Sequence, residues 1–328
     1  MSFPTLVCKM LPALALAATA SLTQAQEKFT YMTSWYAQAE HGGFYQAVAT
    51  GIYKKYGLDV TIKMGGPQVN IMQLLGAGQA DCVMASSDLQ AMIARSGGLP
   101  VVTVASSFQK DPQVVIAHAD VKSFEDMKSK TFLIAPQGMR GYWLWLKSKY
   151  GFTDAQMRPY TFNIQPFVAD KNIVQQGYLT SEPFAMQKAG VKANTFLMAD
   201  HGWPSYAATI SCMDVTVKTR GKAVAAFVRG SMEGWKSYLA DPAPGNALIK
   251  KDNPNMTDEQ LAYSLMKLKE MGIVTGGDAA KAGIGSMSEA RVKQSYAFLV
   301  DNKLVDPAKV TPAQAYDFDF IKDLKVMP

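Results

Sequence analysis

The stretch from residue 29 to 62, FTYMTSWYAQAEHGGFYQAVATGIYKKYGLDVTI, constrains the fold more than any other part of the chain. A short apolar run ends at Trp35 and a polar turn follows. From about Gly43, the residues Phe44, Val48, Ile52 and Tyr53 recur near the 3.6-residue period of a helix with one apolar face. Gly57 stops that helix, and LDVTI restarts the chain as a strand. Strand, helix and strand in this order make a β-α-β unit. Residues 35 to 45 then fall at the carboxyl end of the strand and the amino end of the helix, where open α/β sheets bind ligands. Trp35, Tyr36, Gln38, Glu40, His41 and Tyr45 are concentrated there. They are expected to form one wall of a pocket for a small organic molecule. The plainer role for Trp35 is core packing.

Further strand–turn–helix units follow. The run from Asp81 to Ala85 is a strand, and Ser86, Ser87 and Asp88 stand where the next helix needs an N-cap. A hydroxyl at such a helix start can cap, face a ligand, or do both. VVTVASSF, ending at Phe108 before Gln109, and QVVIAH are buried strands. TFLIAP leads into the turn QGMRG and the helix YWLWLKSKYG. In that turn Gly138 lets backbone approach a bound group closely, and Arg140 is the candidate anion contact because its planar fork matches a carboxylate or phosphate. Trp143 and Trp145 stand two apart, so one is expected to pack and the other to be exposed. In NIVQQGYLTSEPF the QQG is read as a helix end and YLTS as a strand. Glu182 follows as an acceptor for an amino or hydroxyl group, and Pro183 opens the next helix. His201, Trp203, Pro204 and Tyr206 form a second aromatic cluster. Beyond Lys218 the chain is mainly helical, with a capping box at Thr257 and Gln260.

This α/β pattern followed by helices suits two lobes, with the chain crossing to the second and returning to the first. Lobe I is expected to be 26–116 and 212–328, and lobe II 117–211. A ligand would lie in the cleft between them, and closure would be a hinge motion.

The amino terminus has the form of a secretory signal peptide over residues 1–25. Lys9 precedes the apolar run LPALALAATASL, and Thr23 and Ala25 are small residues at a cleavage site before Gln26. Export to the periplasm is therefore expected, and Cys8 would leave with the signal. Cys82 and Cys212 remain, each in an apolar strand-like run. Export permits a disulfide without requiring one, and two buried thiols are the favoured reading. No cluster has the spacing of a zinc or iron–sulfur site, so neither metal nor cofactor is expected. The formal net charge of +6 is spread over scattered lysines. No basic block with interleaved aromatics points to nucleic acid.

The segments AEHGGFYQAVATGIYKKYGLDVTI, GPQVNIMQLLGAGQADCVMAS, TFLIAPQG and YLTSEPF resemble the periplasmic solute receptors of ABC importers. The group is the NMT1/THI5-like one, which includes receptors for thiamine pyrimidine precursors, riboflavin, nitrate and alkanesulfonates. The resemblance implies an α/β, two-lobe periplasmic binding protein-like fold of type II with the ligand in the interlobe cleft. It implies a monomer that hands a small organic ligand to an inner-membrane permease with a cytoplasmic ATPase. It places Trp35, His41, Gly42, Tyr45, Ser86 and Ser87 against the ligand from lobe I. Gln137, Gly138 and Glu182 face it from lobe II, with Tyr206 near the hinge. Gln109 and Arg140 join this candidate set from their turns. A pyrimidine-like heterocycle would stack on Trp35 with its amino groups toward Glu182, whereas an aromatic or organic acid would use Arg140. The group also contains a self-consuming pyrimidine synthase, whose cysteine-rich motif this chain lacks. An exported enzyme using the same cleft is the alternative. Against it, no Ser-His-Asp spacing, G-x-S-x-G or H-E-x-x-H is present.

Overall fold

The computed structural model describes Met1 and residues 25–328. The expected signal peptide, with Cys8, lies outside the described residues but for Met1 and Ala25. In chain order the strands are β1 (Glu27–Met32), β2 (Leu58–Lys63), β3 (Cys82–Ser87), β4 (Val101–Phe108), β5 (Gln113–His118), β6 (Thr131–Ile134), β7 (Met157–Pro159), β8 (Ile173–Tyr178), β9 (Ala193–Leu197) and β10 (Ala207–Met213). They form two five-stranded sheets, ordered β2-β1-β3-β10-β4 and β7-β6-β8-β5-β9.

The opening unit folds as a parallel pair, β1 on β2, with β3 parallel on the other side of β1. Its helix is two pieces, Gly42–Ala49 and Ile52–Lys55. Gly51 breaks it by adopting φ +72°, a conformation that favours glycine. The first piece packs on the long helix Asp214–Ala240 at very short range. A Cβ on Gly234 would collide with the Gly43 carbonyl and stand 2.8 Å from the Ala47 Cβ. Gly42 and Gly43 are likewise covered by the rings of Tyr238 and Trp235. This close approach fixes where the turn 35–41 sits.

The crossings between sheets occur at 109–112 and 198–206, so the structure moves both expected lobe boundaries. The one at 116/117 falls within β5, which is paired in the second sheet with β8 and β9. The one at 211/212 falls within β10, which is paired in the first sheet with β3 and β4. The crossings themselves are polar, Gln-Lys-Asp-Pro at 109–112 and MADHGWPSY at 198–206, whereas both expected boundaries fall inside apolar strands. Asp111 ties the two crossings together. Its Oδ2 accepts from Trp203 Nε1 at 3.0 Å and Ser205 Oγ at 2.8 Å, and its Oδ1 accepts from Gln113 N at 3.0 Å.

Three local expectations are corrected. Cys82 and Cys212 are directly opposed in the β3–β10 register and are joined as a disulfide, where free thiols were favoured. QQG belongs to β8, paired on both sides by β5 and β6, and is not a helix end. Trp143 and Trp145 are both buried, because their helix Tyr142–Tyr150 is covered on two sides. Trp143 packs on Phe132 and Phe152, and Trp145 on Trp203 and Phe298.

Candidate functional site

The two lobes meet over a cavity of about 40 Å³, below the size range of small-molecule sites, so the lobes must part to admit a ring. Lobe I contributes Ser34, Trp35, Gln38, Glu40 and His41 from the first turn, and Met84 and Ser86 from the end of β3. Lobe II contributes Gln113 from β5, Gln137, Gly138 and Tyr142 from the turn and helix after β6, and Gln176, Gly177, Tyr178 and Glu182 from β8 and the turn beyond it. Among the described residues, no lysine or arginine lines it.

Trp35 is half-buried at the lobe junction. Its ring stacks on Tyr160 of lobe II with centroids 6.2 Å apart and planes at 15°, and meets the edge of Phe162 at 5.9 Å. Two hydrogen bonds cross the cleft beside it. Gln137 Nε2 donates to the Ser34 carbonyl, and Thr180 Oγ1 donates to Glu40 Oε1. Further across, Gln68 Nε2 reaches the Tyr160 carbonyl at 2.9 Å and Ser264 Oγ the Thr180 carbonyl at 2.6 Å. The lobes are therefore in contact around the cavity.

The turn 38–41 places polar groups inward. Gln38, Glu40 and His41 are all nearly fully buried. Gln38 Oε1, Glu40 Oε2 and His41 Nδ1 have no hydrogen-bond partner among the described residues. Burial pushes the Glu40 carboxyl above the usual carboxylate range, with the Thr180 bond pulling the other way. Burial lowers His41 to about 3, so its ring is neutral at ordinary pH. Glu182 is better satisfied. Its Oε1 accepts from Tyr160 OH at 3.0 Å and its Oε2 from Tyr178 N at 2.8 Å. Burial nevertheless raises it to about 7, with the charge of Glu40 adding to the rise. Gln176 Oε1 accepts from Ala135 N at 2.6 Å and Tyr142 OH at 2.7 Å, which fixes its amide in the cavity wall.

Of the residues singled out from the sequence, the structure brings together Trp35, His41, Ser86, Gln137, Gly138 and Glu182. The other six lie elsewhere. Gly42 is packed under Tyr238. Tyr45 points along its helix to Asp252, 2.9 Å away. Ser87 is the N-cap of helix Asp88–Ser96, accepting from Gln90 N at 3.2 Å. Gln109 bridges the Ser286 carbonyl and Asp278 N. Tyr206 bonds Asp278 and Ser288 under the Arg291 guanidinium. Arg140 is exposed on an adjoining groove with Asn70, Gln73 and Gln90, which shares Gln137 with the cavity, so an acid held by Arg140 would sit beside the cavity and not within it. Sequence reasoning omitted Ser34, Met84, Gln113, Tyr142, Gln176, Gly177 and Tyr178, and placed in the pocket wall, without carrying into the ligand-contact set, Glu40 and Gln38. For the last two the signal was present, since both belong to the polar turn that opens the first helix.

The sequence profile described as NMT1/THI5 like matches residues 38–244. The chain belongs to this family. Similar proteins include the formylaminopyrimidine-binding protein of Halalkalibacterium halodurans, 25% identical over 282 residues, covering 80% of this chain and 84% of the relative. The riboflavin-binding protein RibY of Chloroflexus aurantiacus is 26% identical over 225 residues, covering 66% of this chain and 64% of the relative's own length. Among solved structures, the alkanesulfonate-binding protein SsuA of Xanthomonas axonopodis pv. citri, bound to MOPS, superposes with a TM-score of 0.64 at 12% identity, over 90% of this chain and 99% of that one. The family member described here thus has the periplasmic binding protein fold.

Proposed function

We propose that this NMT1/THI5-like protein is an exported solute receptor that captures a small nitrogen heterocycle between its lobes and delivers it to an ABC permease. One observation carries the reading. The interlobe cavity combines an indole wall at Trp35 with buried, unpartnered acceptor oxygens at Gln38 and Glu40 and an unpartnered ring nitrogen at His41. A flat ring gains from burial against an aromatic face, and N–H groups on its edge supply what those acceptors lack. An anion is disfavoured, because buried acidic side chains and, among the described residues, no lysine or arginine line the cavity. The relatives named for formylaminopyrimidine and riboflavin bind nitrogen heterocycles, which supports the same choice.

His41, lowered to about 3, is far from the range a general base needs at neutral pH. An enzymatic reading has one point in its favour, since Glu182 is held near 7 and could exchange a proton with a bound molecule. The periplasm, the permease and its ATPase belong to the proposal as the compartment and partners of such a receptor.

The test is native mass spectrometry of protein purified from the periplasm of its own cells, followed by thermal-shift screening of pyrimidines, purines, flavins, sulfonates and aromatic acids. A retained or stabilising heterocycle, recovered chemically unchanged, is the expected result. If nothing is retained and no compound raises Tm, the receptor assignment fails. If the bound compound is converted to a product, the enzymatic reading replaces it.

A further inference from the structure

Glu40 stands out among the groups the cavity buries. Its two carboxylate oxygens have different surroundings. Oε1 accepts from Thr180 Oγ1 across the lobe boundary, whereas Oε2 has no partner among the described residues. The side chain belongs to lobe I, is 1% exposed, and lines the cavity. Thr180, of lobe II, is also tied to lobe I through its carbonyl, which accepts from Ser264 Oγ at 2.6 Å and Gln260 Nε2 at 3.2 Å. One carboxylate therefore touches both the opposite lobe and the space where a ligand lies. Glu182, the other acid of the wall, differs because both its oxygens are already engaged within lobe II.

A buried carboxylate with one open oxygen and no facing cation is destabilising unless a donor reaches it. A hydrogen bond to an ionised acceptor is also stronger than one between neutral groups. We infer that Glu40 is the specificity-determining residue of the cleft: Oε2 accepts an N–H of the ligand while Oε1 holds Thr180, so recognition of an N–H donor and closure of the lobes are coupled through one side chain. This rests on the receptor reading above and narrows it. The ligand class is a planar compound with an exocyclic amino or ring N–H group, neutral or cationic. Sulfonates, nitrate and carboxylic acids without such a donor are rejected, since they would set lone pairs or negative charge against Oε2.

Two substitutions separate the roles. Glu40→Gln keeps an acceptor oxygen for Thr180 but turns an amide N–H toward the ligand. Thr180→Val removes the closure bond and leaves Oε2 free to accept. Wild type and both variants are titrated by calorimetry with cytosine, adenine, 4-amino-5-hydroxymethyl-2-methylpyrimidine, ethanesulfonate, nitrate and benzoate, together with any solute retained from the periplasm. Lobe closure is followed separately by small-angle scattering. For an amino heterocycle, Glu40→Gln is expected to lose about tenfold to a hundredfold in affinity, the size of a charge-assisted hydrogen bond. Thr180→Val is expected to weaken every binding probe by a similar few-fold factor and to reduce compaction at saturation, without changing their ranking. Circular dichroism and thermal melting establish that the variants are folded. The inference is overturned if Glu40→Gln binds the amino heterocycle as tightly as wild type, or if the preferred solute is an acid with no N–H donor. Either result leaves a receptor with a different specificity device. If no probe binds and no solute is retained, the receptor reading itself falls and this inference with it.

Discussion

The Cys82–Cys212 bond gives the sharpest quantitative test of the architecture. Both sulfurs lie in the first sheet, but the 130 residues between them include all of the second lobe. Removing the bond restores freedom to the unfolded chain. If the whole protein unfolds at once, loop-closure entropy over that span is worth about 5 kcal/mol at 25 °C. If the second lobe stays folded while the first opens, Asp111 and its partners keep the two crossings together. The free loop then shrinks to about 40 residues, from 82 to 111 and from 203 to 212, and the same relation gives about 4 kcal/mol. The perturbation is the Cys82→Ala/Cys212→Ala pair, checked against reduced wild type. The assay is urea unfolding followed both by fluorescence and by far-ultraviolet dichroism. The loss should fall on the transition in which the first sheet melts. Ligand affinity should hold, because neither cysteine lines the cavity. Coincident unfolding curves for oxidised and reduced protein would refute the reasoning, as would two alkylatable thiols in denatured, unreduced protein.

Three further outcomes are expected. His41 is lowered to about 3 against an ordinary 6.5, so the unfolded chain binds the extra proton between those values. Its contribution is full above pH 6.5 and drains away as pH falls toward 3, which makes His41→Gln gain about 2 kcal/mol on wild type between about pH 8 and pH 5 in paired urea melts; parallel pH profiles would exclude it. Gly234→Ala drives a methyl group into the Gly43 carbonyl at a helix contact that cannot widen without moving the first turn, and should cost about 1–3 kcal/mol in urea unfolding, a wild-type midpoint being the contrary result. Trp35→Ala removes the cavity wall and the Tyr160 stack but little of either lobe's core. It should lower affinity for any stabilising heterocycle at least about tenfold while costing the fold no more than about 1.5 kcal/mol; undiminished binding by calorimetry would remove Trp35 from the site.

How much of this was legible in the sequence follows from what each residue faces. The β-α-β opening is readable because its apolar faces look into a core, where periodicity reports burial. The same rule fails at β8. Gln175 and Gln176 are buried in a central strand, but they satisfy side chains and cavity instead of aliphatic neighbours, so IVQQGY lacks the apolar run of a core strand. Tyr142 was hidden for a related reason. It stands beside two core tryptophans, and only its hydroxyl, 2.7 Å from Gln176 Oε1, marks it as cavity wall. Arg140 misled in the opposite direction. It shares a turn with Gln137 and Gly138, yet it follows the short helix Pro136–Met139, is exposed to solvent and lines the adjoining groove instead of the cavity. Pairing across 130 residues at Cys82 and Cys212 depends on strand register, which no local pattern encodes.

The site is therefore defined less by any motif than by where the two lobes place incomplete hydrogen-bonding groups. Each lobe on its own is ordinary. The first turn alone would leave Glu40, Gln38 and His41 facing water, which would satisfy them. Bringing Tyr160, Thr180 and Gln137 over that turn removes the water side and leaves buried polar atoms without partners among the described residues. A sulfonate receptor on the same fold needs the reverse arrangement, donors or cations aimed into the cleft. The fold shared with SsuA therefore does not carry its ligand over.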